Sequence, residues 1–211
     1  TDEDTDKNID LSSYASDVDG DDLTFIISSS VSNGTTSLSE SVVAYSPDSN
    51  WNGTDTFEWY ASDGTATSST GTVQIIVSAV NDAPTTEDNT ASTDEDTVVD
   101  ISITASDVEG DDLTFSIVSD VSNGTTSLTD STVTYTPDTN FNGTDTFTYK
   151  ANDGTEDGNT STMTITVASV NDAPIAEDVT SSTNENRMMQ LGVTLVGSDV
   201  DSGDTLTYSI V

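Results

Sequence analysis

The chain has 211 residues, with 3 Lys and Arg against 39 Asp and Glu, a formal net charge of -36, and neither His nor Cys. That charge excludes nucleic acid as a partner and makes anionic lipid surfaces unfavourable. The missing Cys removes disulfides and thiolate metal sites, and the missing His and scarce cations argue against an enzyme.

Leu, Ile, Val and Phe amount to about a fifth of the chain, which with such a charge borders on disorder. Period-2 alternation and internal repetition oppose that reading, because a disordered tract has no reason to keep apolar positions in register. Val80-Asn81-Asp82-Ala83-Pro84 returns as Val170-Asn171-Asp172-Ala173-Pro174. This period of about ninety residues divides the chain into repeats over 1–80 and 81–170 and an incomplete third over 171–211. In each joint the proline stops the preceding strand from continuing as a central ladder member.

In chain order, the first block opens with Thr1-Asp2-Glu3-Asp4-Thr5, matched by Thr93-Asp94-Glu95-Asp96-Thr97 and by Thr183-Asn184-Glu185-Asn186, so the glutamate is the constant member. A short strand is expected next, from Ile9 to Tyr14, Val98 to Ile103 and Met188 to Leu195. Acidic turns follow at Asp17–Asp22, Asp107–Asp112 and Asp199–Asp204, each with a glycine. Between Ala15–Leu38 and Ala105–Leu128, twenty of twenty-four positions are identical, so the first two blocks share one fold. Leu113, Phe115 and Ile117, then Val133 and Tyr135, then Phe147, Tyr149 and Ala151, then Met163, Ile165 and Val167 alternate with polar residues as half-buried strands do. Asn33-Gly34, Asn52-Gly53, Asp63-Gly64 and their second-block counterparts read as hairpins or tight turns. Six or seven short strands per block and no trustworthy helical periodicity predict tandem all-β sandwiches of immunoglobulin-like build. The third block is too short to bury a core alone, so the chain is expected to continue, or to be completed in trans by strand donation from another copy.

Hard oxygen donors without His or Cys suit Ca²⁺, which takes 6 to 8 of them in forgiving geometry. A lone acidic turn is ordinarily just solvated; recurrence of the whole oxygen set in each block is what favours the cation. An EF-hand does not fit Asp17–Asp22, because Ser28 stands where the loop needs a glutamate and no helices flank it. A glycosidase dyad does not fit clusters that recur in every block. The Asn-Gly-Thr sequons read as turns, and Trp51, Trp59 and Tyr60 read as packing residues in preference to a sugar platform.

The run Tyr135–Tyr149, with Asn152-Asp153-Gly154 and Val170–Pro174, resembles the signature half of the bacterial cadherin-like tandem repeats of large secreted or surface adhesins. Tyr45–Trp59 is its first-block counterpart, and Asp199–Asp204 followed by Leu206–Ile210 is similar to the animal cadherin turn and strand. The resemblance implies Ca²⁺ between consecutive modules. The first joint would draw on Glu3, Asn81, Asp82, Asp107, Glu109 and Asp153, and the second on Glu95, Asn171, Asp172, Asp199 and Asp201. Asp17, Asp19 and Asp63 would serve a joint with a preceding module. The animal Asp-Arg-Glu run is missing, which bears on how many ions a joint holds. The implied role is a calcium-stiffened extender at the bacterial cell surface or outside the cell. Its implied partners are neighbouring repeats, other copies in a fibre, or cell-surface glycans, with no membrane insertion.

Overall fold

Strands form here because β-branched and aromatic residues alternate with Thr, Ser and Asp, giving each segment one face for a core and one for water. The computed structural model describes residues 1–181, 194–201 and 203–209. They fall into two units, Thr1–Asp82 and Ala83–Val211.

The first unit holds β1 (Lys7–Asp10), β2 (Thr24–Ser29), β3 (Gly34–Ser39), β4 (Val42–Pro47), β5 (Gly53–Ser62) and β6 (Gly71–Val77). They form two three-stranded sheets, ordered β1-β4-β3 and β2-β5-β6. Leu11, Val43, Tyr45, Phe57, Trp59, Ala61, Ile75 and Val77 make the core between them. The second unit holds β7 (Thr85–Thr86), β8 (Asn89–Asp94), β9 (Val99–Ser102), β10 (Ala105–Ser106), β11 (Thr114–Ser119), β12 (Gly124–Thr129), β13 (Thr132–Pro137), β14 (Gly143–Asn152) and β15 (Ser161–Ala168), followed by β16 (Ile175–Ala176) and β17 (Gly197–Ser198). Its larger sheet is β11-β14-β15-β8, in which β8 runs parallel to β15, and β12-β13-β9 faces it across a core that includes Ile101, Tyr135, Phe147 and Ile165. The immunoglobulin-like, all-β architecture expected from the alternation is therefore what the chain adopts.

Two local expectations need correction. The strand expected to run from Ile9 to Tyr14 stops at Asp10, whose Oδ1 accepts the Ser12 N–H and the Ser41 hydroxyl, and Ser12–Tyr14 turn as a single 3-10 element. Asn33-Gly34 and Asn123-Gly124 are not hairpin turns, because β2 and β3, like β11 and β12, lie in different sheets and the chain crosses between them there. The hairpin reversals sit at Glu40 (φ 56°) and Asp130 (φ 53°), where an acidic residue adopts the left-handed conformation. The strand expected from Met188 to Leu195, and the Thr183–Asn186 match, fall mostly or wholly outside the described residues.

Gly34 and Gly124 are required by close approach. A Cβ on Gly124 would lie 2.4 Å from Thr136 O and 2.8 Å from the Tyr135 ring. Gly124→Ala is expected to destabilise the second unit by about 1–3 kcal/mol, read from denaturant unfolding; an unchanged midpoint would show that the crossing has room.

Candidate metal centre

The glutamate that recurs at the head of each block is buried in both units, 4% exposed at Glu3 and 5% at Glu95. Each is held in the same way. In the first unit one Glu3 carboxylate oxygen accepts the Val80 N–H. In the second unit Glu95 accepts the N–H of Val170, the matching joint residue, and Asn142 Nδ2 at 3.3 Å. The Glu95 backbone is fixed where β8 leaves the sheet, its N–H donating to Ala168 O at 2.8 Å. The second oxygen of Glu3 is buried with no hydrogen-bond donor.

In the second unit two of the second-joint residues, Asp172 and Asp201, converge on Glu95. Asp172 N–H donates to Asp201 Oδ2 at 2.6 Å, and Asp201 N–H donates to Asp199 Oδ1 at 2.9 Å. Carboxylate oxygens of Glu95, Asp172 and Asp201 lie within 4.8 Å of one another, and so do those of Asp199, Asp201 and Asp204, so Asp201 belongs to both groups. Asn171 donates to Asp172 O and lines, with Glu95, Asn140, Asn142, Asp201 and Asp204, a cavity of about 330 Å³. With its amide oriented to satisfy both ends, Asn140 donates to Asp96 at 3.1 Å and to Asp172 at 3.3 Å.

The electrostatics follow from this crowding. Withdrawal from water, and then the charges of Asp201, Asp96, Glu95 and Asp199, push the Asp172 carboxyl above its ordinary value. A raised carboxyl means that ionising Asp172 opposes the folded arrangement. That cost is absent below the ordinary carboxylate range and complete once pH has risen through the elevated value.

The other expected ligands sit as follows. In the first unit Asn81 and Asp82 are half-buried. Asp17 accepts the Asp19 and Asp21 N–H groups while Asp19 itself is exposed, and Asp63 accepts the Ala66 and Thr65 N–H groups, which hold its carboxyl below the usual range. In the second unit Asp107 accepts the Asp111 N–H and keeps its other oxygen buried without a donor. Asp153 is 8% exposed and accepts the Thr155 and Glu156 N–H groups, whereas Glu109 is exposed. Among the described residues, Asp17, Asp19 and Asp63 do not bring three acidic oxygens as close as the Glu95 group does. Residues the sequence does not single out are Asp204, visible only as the last acid of its turn, Asn142, which reads as a turn former, and Asn140, which carries no signal of its own.

A buried carboxylate needs compensation. The chain has only 3 Lys and Arg, and the one ion pair among the described residues joins Lys150 to Asp157, neither of them in this cluster. The donors that converge on Glu95 are all oxygen or amide groups. On those grounds the residues fit a hard divalent cation of the Ca²⁺ type.

Comparison with known proteins gives the family. The bacterial Ig domain profile matches residues 1–76 and again 81–167. A search of curated proteins finds no match. Among solved structures, human CDH23 EC21-23 is similar over 86% of this chain and 74% of that one, at 18% identity and a TM-score of 0.54, a likeness of fold alone. The protocadherin GammaB4 extracellular domain aligns with 89% of this chain and 36% of that one, at 18% identity and a TM-score of 0.47. The endo-fucoidan hydrolase MfFcnA4 aligns at 23% identity and a TM-score of 0.37 over 72% of this chain, which spans only 24% of that one. The chain thus belongs to the bacterial Ig domain family, as cadherin-like repeats in tandem.

Proposed function

We propose that the chain is a calcium-stiffened spacer of a surface or secreted adhesin or fibre, with modules over 1–80 and 81–170 and the start of a third over 171–211. Repeats of this family are commonly extracellular structural or adhesin modules and typically non-enzymatic. No helix among the described residues is long and apolar enough to cross a membrane. The observation that carries the proposal is the convergence of Glu95, Asp172 and Asp201 carboxylates, from the head of one repeat, the joint and the next acidic turn, within 4.8 Å.

Bound Ca²⁺ would supply the positive charge that lets these groups remain ionised together. Glu95, Asp172 and Asp201 would hold it, with Asp199 and Asp204 beside them and Asn171 at the joint. Val170 N–H and Asn142 fix the Glu95 carboxylate in place, and the Asp172 N–H does the same for Asp201. Each charge is then pre-positioned by neutral donors. Without a cation their mutual repulsion favours opening of the joint, and with one the joint closes. Recurrence of the oxygen set in the sequence extends the proposal to Glu3, Asn81, Asp82, Asp107, Glu109 and Asp153 at the first joint, and to Asp17, Asp19 and Asp63 at a preceding one.

The expected result is that small-angle scattering shows a narrower distribution of dimensions in millimolar calcium than in chelator. Superimposable profiles would contradict the stiffening role. A module that binds glycans directly would instead show saturable binding on a glycan array, which a spacer does not.

A further inference from the structure

Four asparagines precede a glycine, Asn33, Asn52, Asn123 and Asn142. In such a pair the glycine nitrogen can reach the asparagine side chain, because no Cβ blocks its approach and its backbone turns freely. How firmly the backbone is held decides which of the four has that freedom.

Asn33 and Asn123 do not have it. The Asn123 N–H donates to Asp145 at 2.8 Å, and its carbonyl accepts the Asp138 N–H at 3.0 Å and the Tyr135 hydroxyl at 3.2 Å. Gly124 is paired opposite Pro137, with Thr136 O 2.4 Å from where a Cβ would stand. Asn33 is held in the same way by Asp55, Asp48 and Tyr45. Both asparagines are half-buried. Asn52 and Asn142 are instead exposed and stand just before β5 and β14 begin. At Gly53 the Trp51 ring comes within 3.0 Å of a Cβ position and covers the turn, whereas at Gly143 the Phe141 ring stays 3.6 Å away.

Asn142 is set apart further by what it touches. Its Nδ2 donates to Glu95 Oε2 at 3.3 Å, and Glu95 is 5% exposed. In the first unit the matching Glu3 Oε2 is buried without a donor, so Asn52 does not play that part. We propose that Asn142-Gly143 is a self-modification site, at which spontaneous deamidation turns the amide beside Glu95 into a carboxylate. The Gly143 backbone nitrogen loses its proton to hydroxide and bonds to Asn142 Cγ; the Cγ–Nδ2 bond breaks and Nδ2 leaves as ammonia. Water then opens the cyclic imide at one of its two bonds to the Gly143 nitrogen. Cleavage at Cγ gives aspartate, and cleavage at the main-chain carbonyl gives isoaspartate. One water is consumed and one ammonia released, with no change of oxidation state.

The product replaces a donor to Glu95 with a negative charge beside it. Carboxylates so placed repel one another strongly where water is largely withdrawn. The Glu95 group therefore gains a charge with age and without an enzyme, and the modified chain is less stable wherever no cation offsets that charge. Neither the reaction nor its effect in chelator rests on the calcium reading.

The test incubates the whole chain in chelator at mildly alkaline pH, follows a peptide from each Asn-Gly pair by mass spectrometry, and melts the aged protein. The Asn142 peptide should gain the mass of an acid in place of an amide about tenfold faster than the Asn33 and Asn123 peptides, with Asn52 between them. Aged protein should melt roughly 5 °C below fresh protein, as should Asn142→Asp made directly. Asn142→Gln keeps an amide on a side chain that closes the imide far more slowly, and should hold its melting temperature over the same time. Equal rates at all four pairs, or a lag at Asn142, would overturn the site. Aged Asn142→Gln that loses as much stability as aged wild type would overturn it too, and this comparison decides even where Asn142→Asp does not fold. A folded Asn142→Asp that melts with wild type in chelator would overturn the coupling to Glu95.

Discussion

Asp145→Ala is expected to destabilise the second unit by about 3 kcal/mol, lowering its melting temperature by roughly 10–20 °C. Asp145 is 4% exposed, and its carboxylate accepts the N–H groups of Ser122, Asn123 and Thr146 at 2.8–3.0 Å and the Tyr135 hydroxyl at 3.2 Å. Those first two N–H groups lie where the chain crosses between the sheets, a segment with no ladder of its own. The carboxylate therefore does for the crossing what a neighbouring strand would do. Removing it leaves several donors without an acceptor, and the cost of desolvated, unpaired donors exceeds the worth of any one bond.

Burial on its own pushes the Asp145 carboxyl up; the three N–H groups and the Tyr135 hydroxyl together outweigh it and hold the carboxyl below its ordinary value. The stabilisation is thus present above the ordinary carboxylate range and is lost as pH falls through the depressed value. Tyr135, pushed up to about 12 by burial and by the Asp145 charge, stays protonated over the same range. Wild type should lose stability below about pH 4 more steeply than the alanine variant, by thermal melts across pH. Parallel curves, or a melting temperature within a few degrees of wild type, would remove Asp145 as the organiser of the crossing. Asp55 repeats the arrangement with Ser32, Asn33 and Thr56 in the first unit.

The second large effect is calcium itself, and its sign should invert between conditions. At calcium about 100 times its Kd, the cluster around Glu95 should add roughly 2.7 kcal/mol to the folded state. Asp201→Asn keeps an oxygen to accept the Asp172 N–H but removes one of the charges that push Asp172 up. In chelator this variant should melt at or slightly above wild type, because repulsion is relieved. In calcium it should melt below wild type, because a ligand charge is lost. Paired melting curves read both signs, and a variant less stable than wild type by the same amount in both conditions would assign Asp201 a purely structural role.

Much of this architecture is legible in the sequence, and the reasons are local. The alternation of Phe147, Tyr149 and Ala151 with polar neighbours places a strand with one buried face, and all three are buried. The constant glutamate and the returning Asn-Asp-Ala-Pro joint single out Glu95 and Asp172, which the fold brings together. What stays hidden depends on tertiary context. Asn33-Gly34 signals a hairpin by local preference, but its glycine answers to the close approach of Ser46 O, and the reversal falls instead at Glu40. Asp145 looks like any of the 39 acids until the crossing folds over it. Asp204 and Asn142 join the site only through the path of the chain, which spacing does not reveal.

The proposed spacer requires a divalent cation held where the Glu95, Asp172 and Asp201 carboxylates meet. Crystals grown in millimolar calcium, with anomalous scattering recorded for that element, test it most directly. An anomalous peak in contact with oxygens of all three residues is the expected result. Three carboxylates turned apart into water, with no peak among them, would contradict it.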